Sequence, residues 1–333
     1  MVSRVGHGDA SLTSILSRQS ASLRAGIERH TAELTTGLHR DIGAAVGGDF
    51  SALAAVEHSL ARLKGHAAMT TEAALFTDAM QTALGVISDD AAELATNILR
   101  AVGPAGEASL ESTAMEAGRA FTTAIAALNT RFSERALFSG VNAETAPLPG
   151  AEAILAALDG AVAGAATVAD VQAAIDGWFA GPAGYDAVYA GGAARADMPI
   201  AAGETANLAV TALDPTIKDT LRALATAAML DRGVLAGQPE AQSQLLKAAG
   251  EDLLAGGEGR AQLMARVGTV QAQIAAAQAR NGAEKSALEI ARAGIVTADP
   301  YDTATMLEDL QARLESLYLV TARVSRLTLA DYL

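Results

Sequence analysis

The chain has 333 residues, 38 acidic against 24 Lys and Arg side chains, a net charge of −14 and no Cys. That balance argues against nucleic acid or an anionic membrane as partner, since both select a basic face, and the missing thiols exclude disulfides, thiolate catalysis and Cys-based metal sites. Half of the residues are hydrophobic but only 4% are aromatic, and roughly a quarter are Ala, so closely approaching helices are expected rather than a deep pocket.

The opening Met1–Asp9 lacks the apolar stretch of a secretory signal peptide, so the general secretory route is not expected. No run reaches the roughly 18 apolar residues of a membrane helix, and no membrane insertion is expected. Six of the eight Pro fall between Pro147 and Pro239. Because Pro breaks helices, this predicts long helices in both flanks around a compact insert. Leu16, Leu23, Ile27, His30 and Leu34 mark the seam of a first helix, with Ser20 filling its gap. The Gly-rich stretch Thr36–Asp49 interrupts it. A second pattern starts at Leu53, Val56, Leu60 and Leu63, resumes from Phe76 to Ile98 and stops at Gly103-Pro104. Uninterrupted, that helix is about 75 Å long. Leu110, Ala114, Ala117, Phe121, Ile125, Leu128 and Phe132 predict a third helix, antiparallel to the second.

In the middle, Ala151–Leu158 and Val168–Phe179 read as short helices, and Tyr185–Tyr189 and Ala206–Thr211 as strands. Pro215–Leu230 reads as a helix with Asp214 as its cap. Leu263, Val267, Val270, Ile274 and Ala277 predict a long return helix to Asn281. After Asp299-Pro300, the residues Leu307, Leu310, Leu314, Leu317, Thr321 and Val324 alternate steps of three and four, and Leu327, Leu329 and Leu333 extend the apolar face. The expected fold class is mainly α: a long antiparallel helical bundle or coiled-coil rod formed by both chain ends, with a small mixed α/β insert. Neither terminal stripe can bury itself alone. Spacing leaves two readings open, an intramolecular helix pair or assembly with neighbouring subunits. The seam is assigned to Leu16, Leu23, Ile27, Leu34, Leu307, Leu310, Leu314, Leu317, Val324 and Leu327.

Chemistry finds no foothold. None of His7, His30, His39, His58 and His66 stands in a His-Glu-x-x-His pattern, and His58 and His66 are two turns apart. Asp89, Asp90 and Glu93 read as solvated charge. Gly256-Gly257-Glu258-Gly259-Arg260 lacks the Gly-Lys-Ser/Thr ending of a phosphate loop, and no Gly-x-Ser-x-Gly elbow occurs. Trp178, Tyr185 and Tyr189 read as the small core of the insert rather than a stacking site. No catalytic, cofactor or metal residue is predicted, and the chain is not expected to be an enzyme.

Three elements carry a family resemblance. Glu33-Leu34-Thr35-Thr36-Gly37 resembles the Leu-Ser/Thr-Thr-Gly element ending the first helix of flagellins and flagellar hook-associated proteins. Arg135-Ala136-Leu137-Phe138-Ser139-Gly140 resembles the Leu-Phe-Ser-Gly signature that closes their helical hairpin. The tail from Ile295 to Leu333 is similar to that of the hook–filament junction members. Two departures stand out: the Ser-Asp-Asp-Pro loop is replaced by Asp41–Asp49, and Met1–Asp9 lacks the family's common start.

The resemblance implies a structural protein of the bacterial flagellum, at the junction of hook and filament. It implies an axial helix over 1–40, a helical hairpin over 41–140, an outward insert over 141–242, a return helix over 243–298 and a second axial helix over 299–333. Thr36, Gly37, Leu137, Phe138, Ser139 and Gly140 are its motif positions. Implied partners are further copies in a ring, a neighbouring hook-associated protein, flagellin and a type III export chaperone, and the location is extracellular. Terminal stripes would order on assembly. Flagellin itself is the alternative within the class, and a cytoplasmic helical adaptor the alternative outside it.

Overall fold

In this computed structural model residues 6–102 and 107–330 are described, with side chains over 14–102 and 109–323. In chain order the elements begin with α1 (Gly6–Thr36), α2 (Ile42–Ala45), α3 (Ser51–Ala101) and α4 (Glu107–Leu128). Strands β1 (Arg131–Phe132) and β2 (Arg135–Ala136) are followed by α5 (Ala151–Ala161), α6 (Val168–Ala180) and α7 (Tyr185–Val188). Then come β3 (Met198–Ala201), β4 (Glu204–Ala206), α8 (Pro215–Ala228), α9 (Pro239–Ala255), α10 (Gly257–Val296) and α11 (Pro300–Ala330). The chain is mainly helical, as its Ala-rich flanks predict. Two compact units divide it: one from the chain ends, up to Arg62 and from Ala283, the other Leu63–Gly282.

In the first unit α1 and α11 pair. The reversal after α1 uses Gly37 at φ +71°, whose N–H donates to Glu33 O at 2.7 Å. This left-handed cap ends the helix where a β-carbon would be strained. The extended stretch that follows bridges to the α10–α11 connection: His39 N–H donates to Val296 O at 2.9 Å and Ala298 N–H to Gly37 O at 3.0 Å. Asp299 then starts α11, its carboxylate accepting from the N–H groups of Tyr301 and Asp302 at 2.8 and 3.2 Å.

The second unit packs α3, α4, α5, α6, α8, α9 and the start of α10 around one core. Helix α8 sits at its centre, with Leu221, Ala223, Leu224, Ala225, Ala227 and Ala228 all buried. Small side chains let its neighbours close in, as Ala-rich composition predicts. At Gly250 α9 closes on α3, and a β-carbon there would lie 2.6 Å from Ile98 Cγ2. The cap of α8 follows the sequence: Asp214 accepts from Thr216 N–H at 3.0 Å ahead of Pro215 and receives Arg266 Nη2 at 2.8 Å. Asp214→Ala is expected to destabilise this unit by about 1–2 kcal/mol, and Asp214→Asn by less because the cap survives. Urea midpoints of the two variants check this.

Three expectations fail locally. Tyr185–Tyr189 is not a strand: Tyr185–Val188 form the single turn α7, because the Tyr185 ring is drawn into the core and its hydroxyl donates to Ala212 O at 2.9 Å. Pairing in the Ala206–Thr211 region lies earlier, β3 against β4 across a turn with Gly203 at φ +75°. Beyond Ala206, Asn207 and Thr211 side chains take the N–H groups of Ala209 and Leu213, which competes with a ladder. Third, α4 ends at Leu128 and Phe132 lies in β1. There Asn129 turns the chain, its amide gripping both N–H and C=O of Leu148 at 3.1 and 3.0 Å.

Candidate assembly site

The predicted seam lies on the facing sides of α1 and α11. Leu16, Ser20, Leu23, Ile27 and His30 are half-buried on α1, as are Leu307, Leu310 and Leu314 on α11, while Leu317 is only 9% exposed. The partners run antiparallel, with Arg24 against Tyr318, Gly26 against Leu310 and Leu38 against Thr297. Gly26 is buried, and a β-carbon there would stand 3.0 Å from Leu310 Cδ1, so the leucine fills a notch that fixes the register. Arg24 donates from Nη2 to the Tyr318 hydroxyl at 2.7 Å and lies 5.9 Å from the ring centroid. The Val324 and Leu327 side chains and Leu333 lie outside the described residues, as does the loop at 103–106.

Leu34 departs from the expectation. It is 44% exposed, and Glu33, at 4%, takes the inner position. Stepping three residues from His30 instead of four puts the carboxylate inward, where it has work to do in the reversal. Glu33 Oε1 accepts from Arg40 N–H at 2.9 Å and Oε2 pairs with His30 Nδ1 at 2.8 Å, with His39 Nδ1 4.0 Å from Oε1. Thr36 donates from Oγ1 to Ala32 O at 2.8 Å and accepts from Leu38 N–H at 3.3 Å. Glu33, Gly26 and Arg24 went unread in the sequence; only Glu33 had a signal, its place at the start of the Glu-Leu-Thr-Thr-Gly element.

Among the described residues of this unit the large apolar side chains left most open lie off the facing stripe: Ile15, Leu34, Leu38, Phe50, Ile290, Met306, Val320, Tyr301 at 80% and Leu319 at 64% are all exposed.

The second motif belongs to the other unit and is interior. Leu137, Phe138, Ser139 and Gly140 are buried. Their backbone is bonded outward: Ala212 N–H donates to Phe138 O at 2.9 Å, Gly192 N–H to Ser139 O at 2.8 Å and Val141 N–H to Ala193 O at 2.9 Å. Gly140 sits at φ +62°. These residues splice the end of the hairpin into the insert and present nothing to solvent.

The aromatic group is likewise core. Tyr185 stacks on Phe179 at 5.4 Å and meets Trp178 edge-on at 6.2 Å, and burial pushes its hydroxyl far above the ordinary phenol range. In the acidic cluster, partial burial, then Glu93 and Asp89, raise the Asp90 carboxyl. Among the described residues no group of three or more His, Asp or Glu is placed to hold a metal ion, and no helix is long and apolar enough to cross a membrane. A cavity of about 280 Å³ lies between Met80, Leu208, Val210, Val267 and Val270, with the Asp214–Arg266 pair at its rim.

No family model and no curated protein matches the chain. Solved structures share its fold. FlgL from Bacillus cereus aligns with a TM-score of 0.52 at 15% identity, covering 72% of this chain and 100% of that one. A protein described as a flagellar hook-associated protein of Vibrio parahaemolyticus aligns with a TM-score of 0.50 at 15% identity, over 73% of this chain and 95% of that one. At such identity the likeness is one of fold, and it is the fold that the three short sequence elements imply.

Proposed function

We propose that the protein is a structural subunit of the bacterial flagellum, outside the cell, and that it joins hook to filament. The observation that carries this reading is the α1–α11 pair, in which the facing stripe is half-covered within the chain while Ile15, Met306, Leu319 and Val320 remain open for neighbours. The fold shared with FlgL and with a second hook-associated protein supports a flagellar structural role, and the Ile295–Leu333 tail with the small insert favours the junction over the filament itself. In this reading 1–40 and 299–333 form the assembling ends, 41–140 and 243–298 the helices that carry them, and 141–242 the insert. Its neighbours are further copies, another hook-associated protein and flagellin, and an export chaperone shields the apolar ends before assembly.

Deleting the gene tests it. Electron microscopy and immunoblots of the medium are expected to show hooks without filaments and flagellin spilled outside. Intact motile filaments from a strain with no second copy would overturn the reading.

A further inference from the structure

Helices α9 and α10 are separated by one residue, Gly256, which is itself right-handed helical at φ −70° and ψ −9°. The ladder reaches this residue from both sides. Gly256 N–H donates to Asp252 O at 2.9 Å, and Arg260 N–H donates to Gly256 O at 3.0 Å. Between these bonds the ladder is interrupted: Gly256 is a turn between two helices, so the N–H groups of Gly257 and Gly259 do not continue it onto the carbonyls of Leu253 and Ala255. The first of those carbonyls has another donor, Arg260 Nη2 at 2.9 Å. A side chain has entered the helical ladder, which is one of the few physical causes of a sharp helix kink.

Arg260 is an unusual occupant. It is 6% exposed, its Nε and Nη1 have no partner, and no carboxylate among the described residues pairs with it. A buried guanidinium without a counter-charge is costly, and orphaned buried donors are rare. Desolvation lowers its pKa accordingly. Gly256 gives it room: a β-carbon there would lie 3.0 Å from Nη1, whereas one on Gly257 would make only an ordinary contact, 3.8 Å from Nη2. The buried leucines Leu245, Leu246 and Leu253 hold α9 to the core, and Leu263 and Val267 hold the start of α10.

We propose that this joint is a two-position bend: with Arg260 inserted the helix is broken at Gly256, and with Arg260 withdrawn the open rungs close and α9 and α10 become one helix. Opposing costs of similar kind set the balance. The bent form bears an unpaired buried cation and the open rungs at Gly257 and Gly259. The straight form bears two glycines in a helix interior and a strained fit of α9 against its core.

Amide exchange on the full chain reads the state directly. In the wild type the amides of Gly257 and Gly259 are expected to exchange at least about tenfold faster than their helical neighbours. Arg260→Leu, which leaves an apolar side chain and no charge, is expected to slow both by a similar factor. Gly256→Ala crowds Nη1 and favours helix at the joint, so it serves if Arg260→Leu does not fold. Amides already as protected as their neighbours in the wild type would overturn the proposal. So would folded variants in which neither gains protection.

Discussion

Alanine at position 140 is expected to destabilise the Leu63–Gly282 unit by more than about 3 kcal/mol, enough to threaten a domain of ordinary stability. Two penalties combine. Gly140 has φ +62°, where a β-carbon is strained, and that atom would lie 2.2 Å from Ala193 O and 2.6 Å from Gly192 O. Neither oxygen can retreat freely, because the same segment is tied to Ser139 and Val141 by two backbone bonds. Gly37 is the internal control. Its φ is +71° but nothing lies within 4 Å of its β position, so Gly37→Ala carries only the left-handed penalty of about 1–2 kcal/mol. Urea unfolding followed by Trp178 fluorescence reports the first variant, and helical circular dichroism the second. Equal costs at the two sites would remove the clamp at Gly140 from the account.

Leu317→Asp is expected to separate α1 from α11 and, on the proposed function, to abolish incorporation into the flagellum, while the unit that holds Trp178 unfolds at its normal urea midpoint. Among the described residues Leu317 is the buried Leu of the α11 stripe. A carboxylate there has no partner and costs several kcal/mol, against a pair that holds its helices along a single seam. The helical signal of two 31-residue helices is at stake, so the loss is easily seen. Leu314→Asp acts in the same direction from a half-buried position. Leu319→Asp separates the two roles of α11: it lies on the open side, so the pair stays formed and only assembly fails. Normal assembly of Leu317→Asp would sink the seam, and normal assembly of Leu319→Asp would move the intersubunit contact elsewhere.

Periodicity carried the long helices because their packing repeats every turn. The stripe on α11 was readable through Leu317, and that on α1 through His30, since each step repeats the same local geometry. It misplaced Leu34 because three- and four-residue steps are equally regular, and only the polar contacts of Glu33 with Arg40 and His30 decide between them. Cap chemistry was local and legible at Asp214, as were the insert helices over 151–161 and 168–180. The Tyr185–Tyr189 and Ala206–Thr211 stretches were not, because Tyr185 is held by Ala212 and Phe138 by residues 189–212, contacts that leave no trace in neighbouring residues. Arg260 shows the same limit: the Gly256–Arg260 run reads as a failed phosphate loop, and Gly256 instead makes room for a guanidinium.

The bridge between Leu38 and Thr297 joins positions about 260 residues apart in the chain. At synthesis rates of about 5–20 residues per second, the stretch facing α1 leaves the ribosome roughly 15–50 s after α1 itself. Folding of this unit therefore waits for α11 and is slow, since closing so long a loop precedes any reward from the contacts it brings. Throughout that interval Leu16, Leu23 and Ile27 lack the α11 face that covers them. A factor that prevents premature aggregation must accordingly act on α1, well before α11 exists.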